Sequence, residues 1–145
     1  MPKGPAADFD GAKIAILRGG DVLTLLRDDR PDIPFPNEWD LPGGGRDGGE
    51  TPVQTATREL FEELSVTLDP AKIIHHAIEN ASAHTGVVVH FFVARWDDLS
   101  DDDIELGDEG QRWCWMPVPE FLSCKDAVEP LQGRLSRALT ALAKD

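Results

Sequence analysis

Glu59, Glu62 and Glu63 stand at i, i+3 and i+4 in a stretch whose apolar residues repeat at helical spacing. On a helix that spacing puts three carboxylates on one face, roughly opposite the apolar stripe. Surface helices usually soften such a cluster with Lys or Arg at i±4, and here the only nearby base is Arg58. An unpaired carboxylate triad on a rigid helix gives a hard divalent cation what it needs: oxygen ligands, high charge and fixed geometry. The same residues also read as a solvated acidic helix face, and their spacing alone leaves both readings open. Just upstream, Pro42 to Glu50 holds Gly43, Gly44, Gly45, Gly48 and Gly49. Glycines let backbone approach a ligand or metal closely. A loop of this kind leading to a helix N-terminus suits an oxyanion.

The elements that must position these groups follow from local pattern. Thr51 to Leu64 is the clearest helix: Thr51 suits the N-cap, Pro52 the first helical position, and Gln54 completes a capping box. Val53, Ala56, Leu60 and Leu64 form its apolar stripe. Ala12 to Leu17 and Val22 to Leu26 read as a β-hairpin around Gly19-Gly20-Asp21. Arg27 to Glu38, with Pro31, Pro34 and Pro36, is a loop, and Trp39 to Leu41 a short strand. Ile73 to Asn80, Val87 to Trp96 and Gln111 to Met116 read as strands, the second apolar enough to be buried on both faces. Asp97 to Glu109 is an acidic loop, Pro117 to Phe121 a short helical turn, and Asp126 to Ala143 an amphipathic helix. Strands and helices do not alternate strictly, so a mixed sheet covered by helices is expected. One domain spanning residues 1–145 is expected, with residues 1–10 as a loose leader.

Gly44, Glu50, Arg58-Glu59-Leu60, Glu62-Glu63 and Val66 have the residue types and gaps of the Nudix box. One position departs: Ser65 stands where the pattern has Gly, just beyond the helix, where left-handed backbone is often needed. On these residues the chain resembles the Nudix hydrolases. Glu38-Trp39-Asp40-Leu41-Pro42-Gly43-Gly44, and Gly107-Asp108-Glu109-Gly110-Gln111 followed by Trp115-Met116, are more loosely similar to the MutT-type branch. The resemblance implies an α+β fold, an α/β/α sandwich with a mixed β-sheet flanked by helices. It implies that Glu59, Glu62 and Glu63, with the carbonyl of Gly43, hold Mg²⁺ or Mn²⁺. It further implies that Arg58 positions Glu59, that Glu50 pairs with Arg58 or assists water, and that Glu109 is the acid brought in from outside the box. Arg27, Gly44 and Gly45 are the expected substrate contacts. The implied reaction is hydrolysis of a nucleoside diphosphate linked to another group, foremost a nucleoside triphosphate, plain or modified, to monophosphate and pyrophosphate. A nucleotide-binding module without turnover and a sugar-nucleotide pyrophosphatase are the alternatives.

Markers outside the box narrow the substrate by exclusion. The diadenosine-polyphosphate branch uses a Tyr after the box, and this chain has no Tyr. The ADP-ribose branch carries a Pro where this chain reads Asn80-Ala81-Ser82-Ala83. The MutT-type purine pocket has an Asn before a Glu-Pro step, and here Val128 precedes Glu129-Pro130. A Val makes no hydrogen bonds to a base edge, which speaks against strong 8-oxoguanine discrimination.

Composition sets the outer limits. Asp and Glu number 27 against 14 Lys and Arg among 145 residues, a formal net charge of -13. That excess argues against a nucleic-acid polymer as partner, because such binders need a basic face. A small phosphorylated nucleotide remains open, since divalent metals bridge carboxylates and phosphates. The acids of Asp97 to Asp103 lack the spacing of a Ca²⁺-binding EF-hand loop. No apolar run is long enough to span a membrane. Cys114 and Cys124 fit neither a disulfide framework nor a zinc site and read as buried free thiols, so a cytoplasmic location is expected. The four His are expected to be structural. A homodimer is compatible with the resemblance, and no feature of the chain demands one.

Overall fold

The computed structural model describes residues 9–82 and 86–144. Two β-branched and apolar runs open the fold as a hairpin, β1 (Gly11–Arg18) and β2 (Asp21–Leu26). Arg18 faces Asp21 across the two-residue turn, where Gly19 takes φ 57, the left-handed value such turns require. β3 (Trp39–Asp40) and β4 (Gly43–Gly45) follow the proline-rich loop. Then come α1 (Pro52–Leu64), β5 (Ile73–Ser82), β6 (Val87–Arg95), β7 (Arg112–Pro117), α2 (Val118–Ser123) and α3 (Glu129–Ala143).

The sheet is mixed. β1 pairs in parallel with β6, while the β1–β2, β1–β4, β2–β3, β2–β7 and β5–β6 ladders are antiparallel. Period-two alternation sends side chains to two cores. Ile14, Ile16, Leu23, Leu25 and Phe92 pack against Ala56, Leu60 and Leu64 of α1. Ala15, Leu17, Val22, Phe91 and Val93 pack against Phe121 of α2 and Leu131, Leu135 and Ala138 of α3. The expected α/β/α sandwich around a mixed sheet is therefore the observed fold. Leu60 is fully buried, so truncation to Ala would cost about 2–5 kcal/mol.

Four local expectations need correction. The glycine run is not all loop: Gly43, Gly44 and Gly45 pair with Lys13, Ala12 and Gly11 as strand β4. Asp10 does not belong to a loose leader, because its N–H donates to the Val88 carbonyl at 2.7 Å and its carboxylate accepts from Val88 N–H at 2.8 Å. Phe9 is buried; the rest of the proposed leader, residues 1–8, lies outside the described residues. The last helix begins at Glu129 rather than Asp126. The Asp126 carbonyl accepts from Trp39 N–H, and Val128 N–H donates to the Trp39 carbonyl, which holds this segment extended beside β3. Cys114 and Cys124 are free but only half-buried. Among the described residues, no helix is long and apolar enough to cross a membrane.

Candidate active site

α1 starts as its sequence directs. Thr51 Oγ1 accepts from Gln54 N–H, and Gln54 Oε1 accepts from Thr51 N–H. This reciprocal cap satisfies the Thr51 and Gln54 amides at the start of the helix. At the other end Ser65 adopts φ 62, the left-handed C-cap position, and donates its N–H to the Phe61 carbonyl. The residue that departs from the box keeps the backbone a Gly would supply.

Arg58 is the hub of the site. Its Nε donates to Glu50 Oε2 at 2.7 Å and its Nη1 to Glu59 Oε1 at 3.1 Å and Glu62 Oε1 at 2.9 Å. Its Nη2 donates to the Gly45 carbonyl at 2.8 Å and to Glu50 Oε1. The triad is thus not unpaired: one guanidinium holds two of its members and Glu50 besides. Glu50 also accepts from Asp47 N–H and Thr55 Oγ1. The hydrogen bond from Arg58, opposed by burial and aided by these donors, lowers the Glu50 pKa to about 2.

Glu63 has a different environment. It does not lie opposite the apolar stripe but beside it, largely enclosed, accepting the Gly43 N–H at 2.8 Å. Burial pushes its pKa up to about 8, with the nearby Lys13 charge and the Gly43 amide pulling the other way. Its charge is undercompensated by the protein, which suits a carboxylate built to share a cation. Gly44 does not open onto a cleft. A Cβ there would come within 2.6 Å of the Glu59 carboxyl carbon, so its missing side chain makes room for Glu59. The Gly43 carbonyl, expected to face a metal, accepts from Lys13 Nζ at 3.3 Å. Among the described residues, no three Asp, Glu, His or Cys side chains form a ready-made ion cage. Glu59 and Glu62 lean on Arg58 while Glu63 leans on Gly43. The donor set has the chemistry of a divalent-cation site, with its members parted.

A second charged cluster escaped the sequence reading. Asp40 is buried and accepts from Lys13 Nζ at 3.0 Å and from Arg27 Nη1 at 2.9 Å. Arg27 also donates from Nε to the Pro34 carbonyl. Arg27 is thereby aimed by Asp40 rather than loose at a strand end. The available signal was Lys13 itself, a lone charge between Ala12 and Ile14 in an otherwise apolar strand.

Three cavities adjoin these groups. One of about 170 Å³ is lined by Arg27, Arg30, Asp40, Glu63 and Glu109. A second of about 460 Å³ is lined by Glu59, Glu62, Glu63, Asp108 and Glu109. Glu109 and Glu63 border both. Gly107 makes this meeting possible: its N–H donates to the Glu63 carbonyl at 2.8 Å, and a Cβ there would come within 2.0 Å of the Glu62 carbonyl oxygen. The third cavity, about 340 Å³, lies behind Arg27 and Asp40 and is bordered by Pro34, Phe35, Val128, Leu131 and Arg134.

The tryptophans mostly serve packing. Trp113 and Trp115 lie against the α1-side core, Arg18 covers Trp115, and Arg112 covers Trp39. His76 Nε2 and His90 Nδ1 share a hydrogen bond at 2.6 Å, and His90 packs against Phe9. His84 lies outside the described residues.

An α/β/α sandwich bearing this Arg-Glu helix beside a glycine strand defines a class of phosphoanhydride hydrolases. The chain belongs to the Nudix family: a NUDIX domain matches residues 9–139. It is 30% identical over 133 residues to an RNA pyrophosphohydrolase of Tolumonas auensis, covering 77% of this chain and 73% of that one. It is 28% identical over 109 residues to an asymmetrical bis(5'-nucleosyl)-tetraphosphatase of Caenorhabditis elegans, covering 73% and 76%. Among solved structures, a bifunctional NMN adenylyltransferase/ADP ribose pyrophosphatase of Francisella tularensis, complexed with AMP and a Mn ion, superposes with a TM-score of 0.75 at 18% identity. That match covers 95% of this chain and 43% of the larger one, and it speaks to fold alone. The protein is a hydrolase acting on phosphoric anhydride bonds.

Proposed function

We propose that the protein hydrolyses a nucleoside diphosphate linked to another group, foremost a nucleoside triphosphate to monophosphate and pyrophosphate, with Mg²⁺ or Mn²⁺. The observation that carries this reading is the meeting of Glu63, Glu109 and Arg27 on one cavity, with Glu59 and Glu62 on the next. Glu59, Glu62, Glu63 and the Gly43 carbonyl would hold the cation. When bound, the ion would neutralise phosphate charge and make water a better nucleophile.

The chain's own groups do the rest. Arg27, aimed by Asp40, borders both the carboxylate cavity and the apolar one behind it, so a phosphate chain lying between them meets its guanidinium. The apolar cavity accepts the nucleoside. Glu109, exposed and free of the Arg58 network, is the group able to take a proton from the attacking water. Arg58 orients Glu59, and Glu50 orients Arg58.

The relatives named RNA pyrophosphohydrolases favour a second reading, in which the triphosphate is the 5′ end of an RNA. The net charge of -13 weighs against a long polymer contact. One experiment separates these readings. Purified protein with Mg²⁺ or Mn²⁺ is given nucleoside triphosphates, sugar nucleotides, dinucleoside polyphosphates and a 5′-triphosphorylated RNA. Release of monophosphate from free nucleotides, lost in Glu62→Gln and Glu63→Gln, supports the proposal. Full activity in those variants sinks the metal assignment. Binding without turnover on every substrate would make the protein a nucleotide-binding module.

A further inference from the structure

The cavity behind Arg27 and Asp40 has an uncommon imbalance. Its walls are apolar, from Pro34 and Phe35 on the loop and Val128, Pro130 and Leu131 at the start of α3. Its charged members are Lys13, Arg27, Asp40 and Arg134. Lys13 and Arg27 are engaged by Asp40. Arg134 is not: among the described residues it makes no hydrogen bond or ion pair. Of the carboxylates whose charge it feels, Asp40 is taken by Lys13 and Arg27, and Glu79 is taken by Arg137. Arg134 is half-buried with its guanidinium nitrogens still open to solvent, so its five N–H donors are available to a ligand in this cavity.

The cavity's shape says what kind of ligand satisfies it. A free phosphate would pair with Arg134 but leave the apolar walls wet. A flat ring covers those walls with its faces and presents its edge to Arg134. Phe35 supplies a second observation. It is 41% exposed and held at φ 51, a left-handed conformation that a bulky residue rarely adopts. An aromatic ring left uncovered at the cavity mouth is a stacking surface.

We infer that Arg134 determines the base specificity of this enzyme, by donating to the acceptor edge of a 6-oxopurine so that guanine nucleotides are preferred over adenine nucleotides. The inference rests on the proposed nucleotide hydrolase activity and names its substrate class. Guanine offers two adjacent acceptors, O6 and N7, to a forked donor, whereas adenine places an amino donor beside N7. Against adenine the fork meets one acceptor and one donor, and the cavity's one carboxylate, Asp40, already accepts from Lys13, Arg27 and the Leu41 N–H. Val128, which makes no hydrogen bond to a base, leaves Arg134 as the unengaged polar reader on this wall. Burial lowers the Arg134 pKa, which fits a guanidinium short of partners.

The test compares kcat/KM for GTP, ITP, 7-deaza-GTP and ATP in the full chain with Mg²⁺, alongside equilibrium binding of α,β-methylene GTP and ATP. The expected wild-type result is at least about a tenfold preference for GTP over ATP. ITP, which keeps both acceptors, should behave like GTP, and 7-deaza-GTP, which lacks N7, should fall toward ATP. In Arg134→Met the GTP preference should shrink to within about twofold, with Arg134→Lys in between because it lacks the fork. Equal use of GTP and ATP by the wild type, or an unchanged preference in Arg134→Met with its melting temperature intact, overturns the inference and leaves the hydrolase activity standing. Failure to turn over or bind any nucleotide overturns both.

Discussion

Gly44 and Glu59 occupy the same space: a Cβ on Gly44 would sit 2.6 Å from the Glu59 carboxyl carbon and 2.8 Å from its oxygens. The glycine of the box therefore serves a carboxylate of the box, across a strand–helix interface. Gly44→Ala should displace Glu59 while β4 stays paired. Overpacking of this kind costs about 1–3 kcal/mol, or a melting temperature lower by roughly 3–9 °C. Turnover should drop about tenfold or more, and a variant with wild-type kcat would refute the link.

Ser65 tests whether the departure from the box matters for backbone alone. Its φ of 62 tolerates Ser and suits Gly. Ser65→Gly should leave stability within about 0.5 kcal/mol, since relief of strain offsets a looser unfolded chain and the lost bond to Glu105. Ser65→Val should cost about 1–3 kcal/mol, because a β-branched residue resists this conformation. Urea denaturation of the pair would decide, and equal midpoints would contradict the strain argument.

Glu50 carries a pH dependence whose sign is set by its depressed pKa. Its carboxyl titrates at about 2 in the folded chain against an ordinary 4.5. The resulting stabilisation is fully present above about pH 4.5 and is lost as pH falls toward 2. Glu50→Gln should therefore melt about 3 °C below wild type at pH 6, with the gap narrowing at pH 3. A gap that stays constant between those pH values would assign the effect to packing instead.

Glu109 is exposed on its loop, so its removal should touch chemistry and spare the fold. Glu109→Gln should lower kcat by about 10²–10⁴-fold with a melting temperature unchanged to within about 1 °C. Gly107→Ala, by contrast, drives a Cβ into the Glu62 carbonyl and should lower both. If Glu109→Gln keeps full activity, the acid lies elsewhere.

What could be read before the structure was local. The capping box, Pro52 and the apolar stripe of α1 act within a few residues, so the helix and its carboxylates were visible in the chain. The hairpin turn was visible for the same reason. The pairing of Gly43–Gly45 with β1 is a long-range event, and no local propensity marks three glycines as a strand. Asp40 as the joint anchor of Lys13 and Arg27 was hidden likewise, because Lys13 lies 27 positions away. The splay of the triad followed from three-dimensional competition: Arg58 reaches Glu59 and Glu62, while Glu63 is turned to an amide on β4. The motif marks Glu109, but the reason it lies beside α1, the side-chain-free contact of Gly107 with that helix, joins residues far apart in the chain and leaves no local signal.

The Arg58 hub has a consequence for how this protein comes into being. A helix bearing three close carboxylates would resist forming if each charge stood alone. Arg58 travels on the same helix, one residue from Glu59 and one turn from Glu62. The newborn chain thus carries a built-in counter-ion, and its helix can close before any metal arrives. Under the proposed reading a cation would share carboxylates already carried on a rigid helix, with Arg58 yielding Glu59 and Glu62 to it, rather than having to assemble the fold around itself. On that proposal metal supply would govern turnover, while the folding of the helix would not depend on it.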